Sequence, residues 1–61
     1  MRYHLVFPFD DSLESKYMEY DVPPIVGDLL RFENESSVFY FKVLSRVFID
    51  EHLVKLALER V

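Results

Sequence analysis

The sequence predicts an all-β protein, a five-stranded antiparallel meander that closes into a small barrel. Several short segments carry apolar residues at alternate positions, which is the pattern of half-buried strands. Turn-forming residues separate these segments at short intervals. Residues 38–49 form a longer run that is apolar on both alternating faces and contains no Gly or Pro. Such a strand either bends through a small closed barrel or turns its second face toward a partner.

The first strand is predicted over residues 2–9. Its buried face is expected to consist of the apolar residues at odd positions: Tyr3, Leu5, Phe7 and Phe9. Pro8 has no N–H to donate to a β-ladder, so it should mark an edge position or the end of the strand. The polar residues 10–12 that follow are typical of a turn.

The second element is ambiguous. A strand over residues 16–22, antiparallel to the first, is favoured because the segment is rich in Tyr and is spaced as a hairpin. The alternative is a short helix at about residues 12–20, capped by Asp11 or Ser12, which makes the fold α+β. Either element ends at Pro23 and Pro24, because proline fixes φ and removes a backbone donor.

Three more strands are predicted after the turn at Gly27, the only glycine in the chain. They cover residues 29–33, 38–49 and 53–61, with a polar hairpin loop at residues 34–37 and a short turn at residues 50–52. The core face of the long strand is expected to hold its odd-numbered apolar residues, packed against the odd face of the first strand and the even face of the last. These long-strand residues are Phe39, Phe41, Val43, Val47 and Ile49, and their partners in the last strand are Val54, Leu56 and Leu58.

Five short strands within 61 residues, one of them long enough to serve two sheets, are typical of SH3-like or OB-like barrels. The SH3-like barrel is favoured because an OB barrel normally needs more residues. The chain is short enough to predict one domain, residues 1–61.

Residues 23–61 also resemble small bacterial or phage SH3-like β-barrel proteins of unassigned function. The resemblance rests on Pro24, Val26, Gly27 and Asp28 at a turn that enters a strand, followed by spaced apolar residues such as Phe48 in the later strands. In SH3-like barrels a Gly-Asp turn of this kind reflects backbone geometry, so the resemblance implies a fold and no catalytic or ligand-binding residue.

Composition narrows the class of function. The chain has no Cys, so it has no disulfide and no thiolate metal site, and ten aromatic residues must supply much of the core. The N-terminus lacks the apolar length of a signal peptide or a membrane span, and a soluble cytoplasmic protein is expected. The net charge of −4 falls within one segment, in which Lys16 is the only base. Its acidic residues are Asp10, Asp11, Glu14, Glu19 and Asp21.

Catalytic and metal-binding patterns are not found. His4 and His52 lack the spacing of metal ligands, and adjacent carboxylates in turns are expected to point apart into water. A single glycine cannot build a phosphate-binding loop. We therefore expect no enzymatic activity, no metal, no cofactor and no small-molecule substrate.

The even-numbered face of the long strand is the predicted functional surface, because nothing else in so short a chain obviously covers it. It combines aromatic, aliphatic and basic residues: Tyr40, Lys42, Leu44, Arg46 and Phe48. Tyr, Phe and Arg are residues that anchor protein interfaces. The expected function is a non-enzymatic protein-interaction module that forms a homodimer through this face.

Two other functions stay open from the sequence. A nucleic-acid-binding barrel would use Arg2, Lys42 and Arg46 with the neighbouring aromatic rings, although the acidic net charge disfavours it. A small acidic inhibitor would present the acidic segment to a basic site on a nucleic-acid-binding protein. A third interpretation is structural: the even face covers a second layer of core, with its two basic side chains extended along it.

Overall fold

A computed structural model, which describes all 61 residues, is all-β and contains five strands and no helix. The strands are β1 (Arg2–Val6), β2 (Lys16–Glu19), β3 (Leu29–Glu33), β4 (Val38–Asp50) and β5 (Leu53–Arg60). They form one sheet in the order β2-β1-β5-β4-β3, curled into a half-barrel. The all-β class and the five strands confirm the sequence prediction, and the helical alternative at residues 12–20 is wrong.

The predicted closed antiparallel meander fits only in part, because one strand pair is parallel and the barrel is not closed. Strands β1 and β5 pair in parallel, whereas β1–β2, β3–β4 and β4–β5 pair antiparallel. When five successive strands alternate in direction, the first and the fifth run the same way. A sheet in which these two strands are neighbours therefore contains a parallel pair. The expected pairing of β2 with β3 is missing, and these two strands are the edges of the half-barrel.

The connection between β2 and β3 explains the missing pair. A hairpin would need a short loop and continuous backbone donors, but residues 20–28 include Pro23 and Pro24, which cannot donate. Pro24 is buried, so this connection packs against the protein on its way to the opposite edge of the sheet. The half-barrel is therefore joined at β1–β5 and open between β2 and β3.

The core lies on the concave face of the sheet, which we call the inner face. Its buried residues come from the three central strands: Tyr3, Leu5, Phe41, Val43, Val54, Leu56 and Leu58. Partly buried side chains from β2, β3 and β4, and from the residues that follow β1 and β2, pack around them, among them Met18, Leu30 and Phe32. The predicted core residues of β1 and β5 are confirmed, except that Phe9 is 74% exposed because β1 ends at Val6 and the chain has already turned at Pro8.

The β3–β4 hairpin forms where the sequence predicts it. Asn34 closes the loop by donating its N–H to the carbonyl of Ser37 over 3.0 Å, while its side-chain oxygen accepts from the N–H groups of Ser36 and Ser37. A short polar side chain that bonds nearby backbone is the usual chemistry of such a loop.

Gly27 occupies a turn that only glycine adopts without strain. Its φ is +96°, and its N–H donates to the Val43 carbonyl over 2.9 Å. The Asp28 N–H donates to the Ile25 carbonyl over 3.0 Å, so Gly27 is the third residue of a four-residue turn, where a type II turn requires positive φ.

Substitution of Gly27 by Ala is expected to destabilise the fold by about 1–2 kcal/mol. The strain is in the backbone, because an added Cβ has no atom within 4 Å. Urea unfolding followed by far-UV circular dichroism measures the change. Ala at exposed Ser36, in the other turn, is the control; a Gly27→Ala protein as stable as the original chain would contradict the turn assignment.

Candidate functional site

A β-bulge at Leu44 divides the predicted interaction face. Val43 pairs with Leu58 and Ser45 pairs with Ala57, so Leu44 is an extra residue with no partner in β5. A bulge of this kind shifts the alternation of side chains by one residue. The even positions of β4 before and after the bulge therefore lie on opposite faces of the sheet.

The structure places the five predicted residues in three environments. Tyr40 and Lys42 lie on the outer, convex face, where they pair with Arg31 and Leu29 of β3. Leu44 is the half-buried bulge residue. Arg46 and Phe48 pair with Leu56 and Val54, two core residues, and so lie on the inner face. The chain does not bring these five side chains together on one face.

The same shift corrects the predicted core of β4. Phe41 and Val43, before the bulge, are buried as expected, and Phe39 packs against the core. Val47 and Ile49, which the alternation assigned to the core, are 49% and 52% exposed. The bulge turns Val47 outward beside Lys55 and brings Arg46 inward in its place.

Arg46 packs its side chain along the inner face. Its guanidinium carbon lies 4.9 Å from the centroid of the Phe48 ring, a cation–π arrangement. Its Nε is buried and has no hydrogen-bond partner. Arg46 therefore behaves as in the third interpretation, in which a basic side chain extends along apolar residues. Phe48 does not, because it is 60% exposed and so covers no second layer of core.

The second half of β4 has one free backbone edge. Strand β3 pairs with β4 only from Val38 to Lys42, and the turn at Gly27 contacts the backbone of Val43. Residues 45–50 pair with β5 on one side and make no backbone hydrogen bond on the other. We call residues 45–50 the free β4 segment.

The turn that precedes β3 keeps this edge free. The Asp28 side chain accepts a hydrogen bond from the N–H of Ile25 over 2.9 Å, which holds the turn closed. The turn carries the chain away from β4 at the point where β3 would otherwise continue alongside it. Ile25 and Val26, in the turn, are both more than half exposed.

Apolar side chains surround the free edge. Val47, Phe48 and Ile49 are each about half exposed or more, and Ile25 and Val26 border the segment at its Val43 end. Natural proteins usually protect an exposed edge strand with charges, Pro or bulges, because its unpaired N–H and C=O groups can pair with another chain. Here a bulge stands at each end of residues 45–48, but the residues between them include only one charge, Arg46.

The acidic residues lie far from this edge in the order of strands. They belong to β2 and its flanking connections, at the opposite end of the sheet: Asp10, Asp11, Glu14, Glu19 and Asp21. Two have local roles, since Glu19 lies 3.4 Å from the N-terminal ammonium and Asp10 accepts hydrogen bonds from the N–H and hydroxyl of Ser12. These Ser12 hydrogen bonds lower the pKa of Asp10 below its ordinary value of 3.8.

One tyrosine beside β2 has a perturbed acidity. Burial raises the pKa of Tyr20 above its ordinary value of 10.0. Its ring meets Tyr3 edge to face, with centroids 5.5 Å apart, and its hydroxyl donates to the sulfur of Met18. Tyr20 therefore serves the core at the β2 edge.

The basic residues predicted to hold nucleic acid do not converge. Arg2 lies on the outer face over the Tyr17 ring, at 4.3 Å, whereas Arg46 lies on the inner face. Likewise, His4 stacks on Tyr17, with centroids 4.6 Å apart, and His52 lies beside Glu51 in the turn between β4 and β5. No group of three or more His, Cys, Asp or Glu side chains is arranged to hold a metal ion.

The structure contains no helix long and apolar enough to span a membrane. The resemblance to SH3-like barrel proteins stays an expectation from the sequence. Comparison with protein-family models, with curated proteins and with solved structures finds no match to this chain.

Proposed function

We propose that this chain is a non-enzymatic, cytoplasmic protein-interaction module that forms a homodimer by antiparallel pairing of two free β4 segments. The observation that carries the proposal is the unpaired backbone edge of residues 45–50 with exposed apolar side chains on both of its faces. Addition of a strand to a free edge forms main-chain hydrogen bonds and covers the side chains next to it.

The sequence of the segment favours a second copy in one register. In an antiparallel pair centred on Val47, the two Val47 side chains face each other on the outer side of the sheet. Arg46 then lies opposite Phe48 of the partner subunit, and both residues belong to the inner face. Each guanidinium already lies over a Phe48 ring within its own chain, so the pairing extends that cation–π contact across the two-fold axis.

The distribution of charge is compatible with this contact. Each copy carries a net charge of −4, which opposes association at long range. The five acidic residues at the β2 edge are separated from β4 by two strands, β1 and β5, and the only carboxylate within the paired segments is Asp50, at their end. Raising the salt concentration should therefore strengthen the dimer slightly or leave it unchanged.

Sedimentation equilibrium tests the proposal without any substitution. The chain has a mass of 7.3 kDa, and we expect twice that mass in the micromolar range, with dissociation on dilution. A folded protein that keeps the monomer mass up to millimolar concentration would refute self-association.

A further inference from the structure

An open slot occupies the mouth of the half-barrel, where β2 and β3 do not pair. Its volume is about 340 Å³, and it lies between the β1–β2 connection and the β3–β4 hairpin. Four phenylalanine rings line it: Phe7, Phe32, Phe39 and Phe41. A volume of this size is within the range of small-molecule sites, which are lined mainly by apolar and aromatic side chains with a few polar groups.

Two cations converge at this slot. The ammonium of Lys16 lies 4.5 Å from the centroid of the Phe32 ring, and the guanidinium carbon of Arg60 lies 4.4 Å from that of Phe39. Phe32 and Phe39 are directly opposite each other in the β3–β4 register, so their rings are neighbours. The two positive groups therefore stand over adjacent rings, although β2 and β5 supply them from different parts of the sheet.

The two cations of the slot form no direct ion pair, whereas each of the two carboxylates that line it has a hydrogen-bond or ion-pair partner. Asp10 accepts two hydrogen bonds from Ser12, and Glu33 pairs with Arg31 at 3.1 Å. Lys16 and Arg60 form no side-chain hydrogen bond and no ion pair within 4.0 Å, although Arg60 is close enough to Asp10 to help lower the pKa of that carboxyl. A cation that lies over a ring keeps its N–H donors available, so the slot offers donors to an anion.

The phenylalanine rings of the slot favour a ligand that contains an aromatic ring. Phe7 and Phe32 each meet Phe41 edge to face, with centroids 5.1 and 5.4 Å apart. An added ring can continue this edge-to-face packing, which aromatic pairs prefer. A carboxylate on that ring's side chain matches the two-pronged donor geometry of arginine, while the lysine ammonium supplies a second positive charge.

We propose that the slot binds a small aromatic carboxylate, with the ring among the phenylalanines and the carboxylate between Lys16 and Arg60. This site shares no residue with the free β4 segment, so the proposal does not depend on the homodimer. The sequence led us to expect no small-molecule substrate, and a bound carboxylate of this kind is a ligand rather than a substrate.

The test is an NMR titration of the ¹⁵N-labelled chain with hydrocinnamate and, separately, with its neutral analogue hydrocinnamyl alcohol. We expect saturable shifts of the amides of Lys16, Phe32 and Phe39 with hydrocinnamate. The alcohol should bind roughly tenfold more weakly, since it lacks the charge-assisted hydrogen bonds. Equal affinity for the two compounds, or no saturable shift with either, would overturn the proposal.

A pair of lysine variants locates the carboxylate. Lys16→Met keeps an apolar chain over Phe32 but removes the charge, and we expect it to weaken hydrocinnamate binding roughly tenfold while binding of the alcohol is unchanged. Lys55→Met, which removes a charge from the outer face, is the matched control and should bind as the original chain does. Equal weakening by both variants would show a general charge effect and would exclude the proposed site.

Discussion

Replacement of Leu56 by Ala is expected to cost about 3 kcal/mol of unfolding free energy. Leu56 is completely buried in the central strand β5, beside Leu5 of β1 and opposite Arg46 of β4. A chain of this length has a total stability on the order of 3–9 kcal/mol, so the loss takes a third of it or more. Urea unfolding by circular dichroism at a fixed protein concentration should give a much lower midpoint, or a protein already partly unfolded without urea.

Leu29→Ala is the matched control for this prediction. The chemical change is the same, but Leu29 is on the outer face of the edge strand β3 and is largely exposed. Its loss should change stability by no more than about 0.5 kcal/mol. If the two variants lost stability equally, the assignment of the core to the inner face would be wrong.

Replacement of Val47 by Lys is expected to abolish the homodimer while the monomer stays folded. In the proposed register the two introduced ammonium groups face each other across the two-fold axis, and an edge lysine is also a natural protection against strand pairing. The dissociation constant should rise roughly thirtyfold or more, the size of a central interface residue's effect. Sedimentation equilibrium of the variant beside the unmodified chain measures it.

Val38→Lys provides the control on the same strand. Val38 has a similar exposure, but it is at the start of β4, where Glu33 of β3 already occupies the neighbouring edge. This variant should dimerise as well as the original chain. Equal loss of the dimer in both variants would show that net charge governs association, and unfolding of Val47→Lys alone would assign Val47 a structural role.

The alternation of apolar residues was sufficient to predict the strands and most of the core. Tyr3 and Leu5 in β1, and Val54, Leu56 and Leu58 in β5, alternate with polar or small residues, and both strands bury the expected face. The strand at residues 16–19 was harder to predict, because the sequence also contains a possible helix cap at Asp11 or Ser12. Pairing with β1 makes this segment a strand. That pairing joins residues 2–5 to residues 16–19, so it is not visible in the local sequence of residues 16–19.

The bulge at Leu44 could not be predicted from the residues around it. It inserts one residue without a Gly or a Pro, so strict alternation assigned Val47 to the core and Arg46 to the outer face. The β4 side chains from Arg46 to Phe48 were therefore placed on the wrong face. The sequence indicated that the long strand has more apolar surface than the rest of the chain can bury. It did not indicate the free backbone edge of residues 45–50, because that edge depends on where β3 stops pairing with β4.

The slot at the mouth of the half-barrel was missed for a related reason. Lys16, Phe32, Phe39 and Arg60 come from four different strands, and no spacing in the sequence links them. A closed barrel, which the sequence predicted, would have paired β2 with β3 and filled this space. Only the topology brings the cations of residues 16 and 60 to adjacent rings.

A single-cysteine variant tests the central claim most directly, because the chain has no other cysteine. In an antiparallel pair centred on Val47, the two Val47→Cys residues face each other within the span that a disulfide bridges, so mild oxidation should yield a covalent dimer. Tyr40→Cys, on the outer face of the paired half of β4, should stay monomeric under the same conditions. Rapid cross-linking of Tyr40→Cys with none of Val47→Cys would contradict pairing through the free β4 segment.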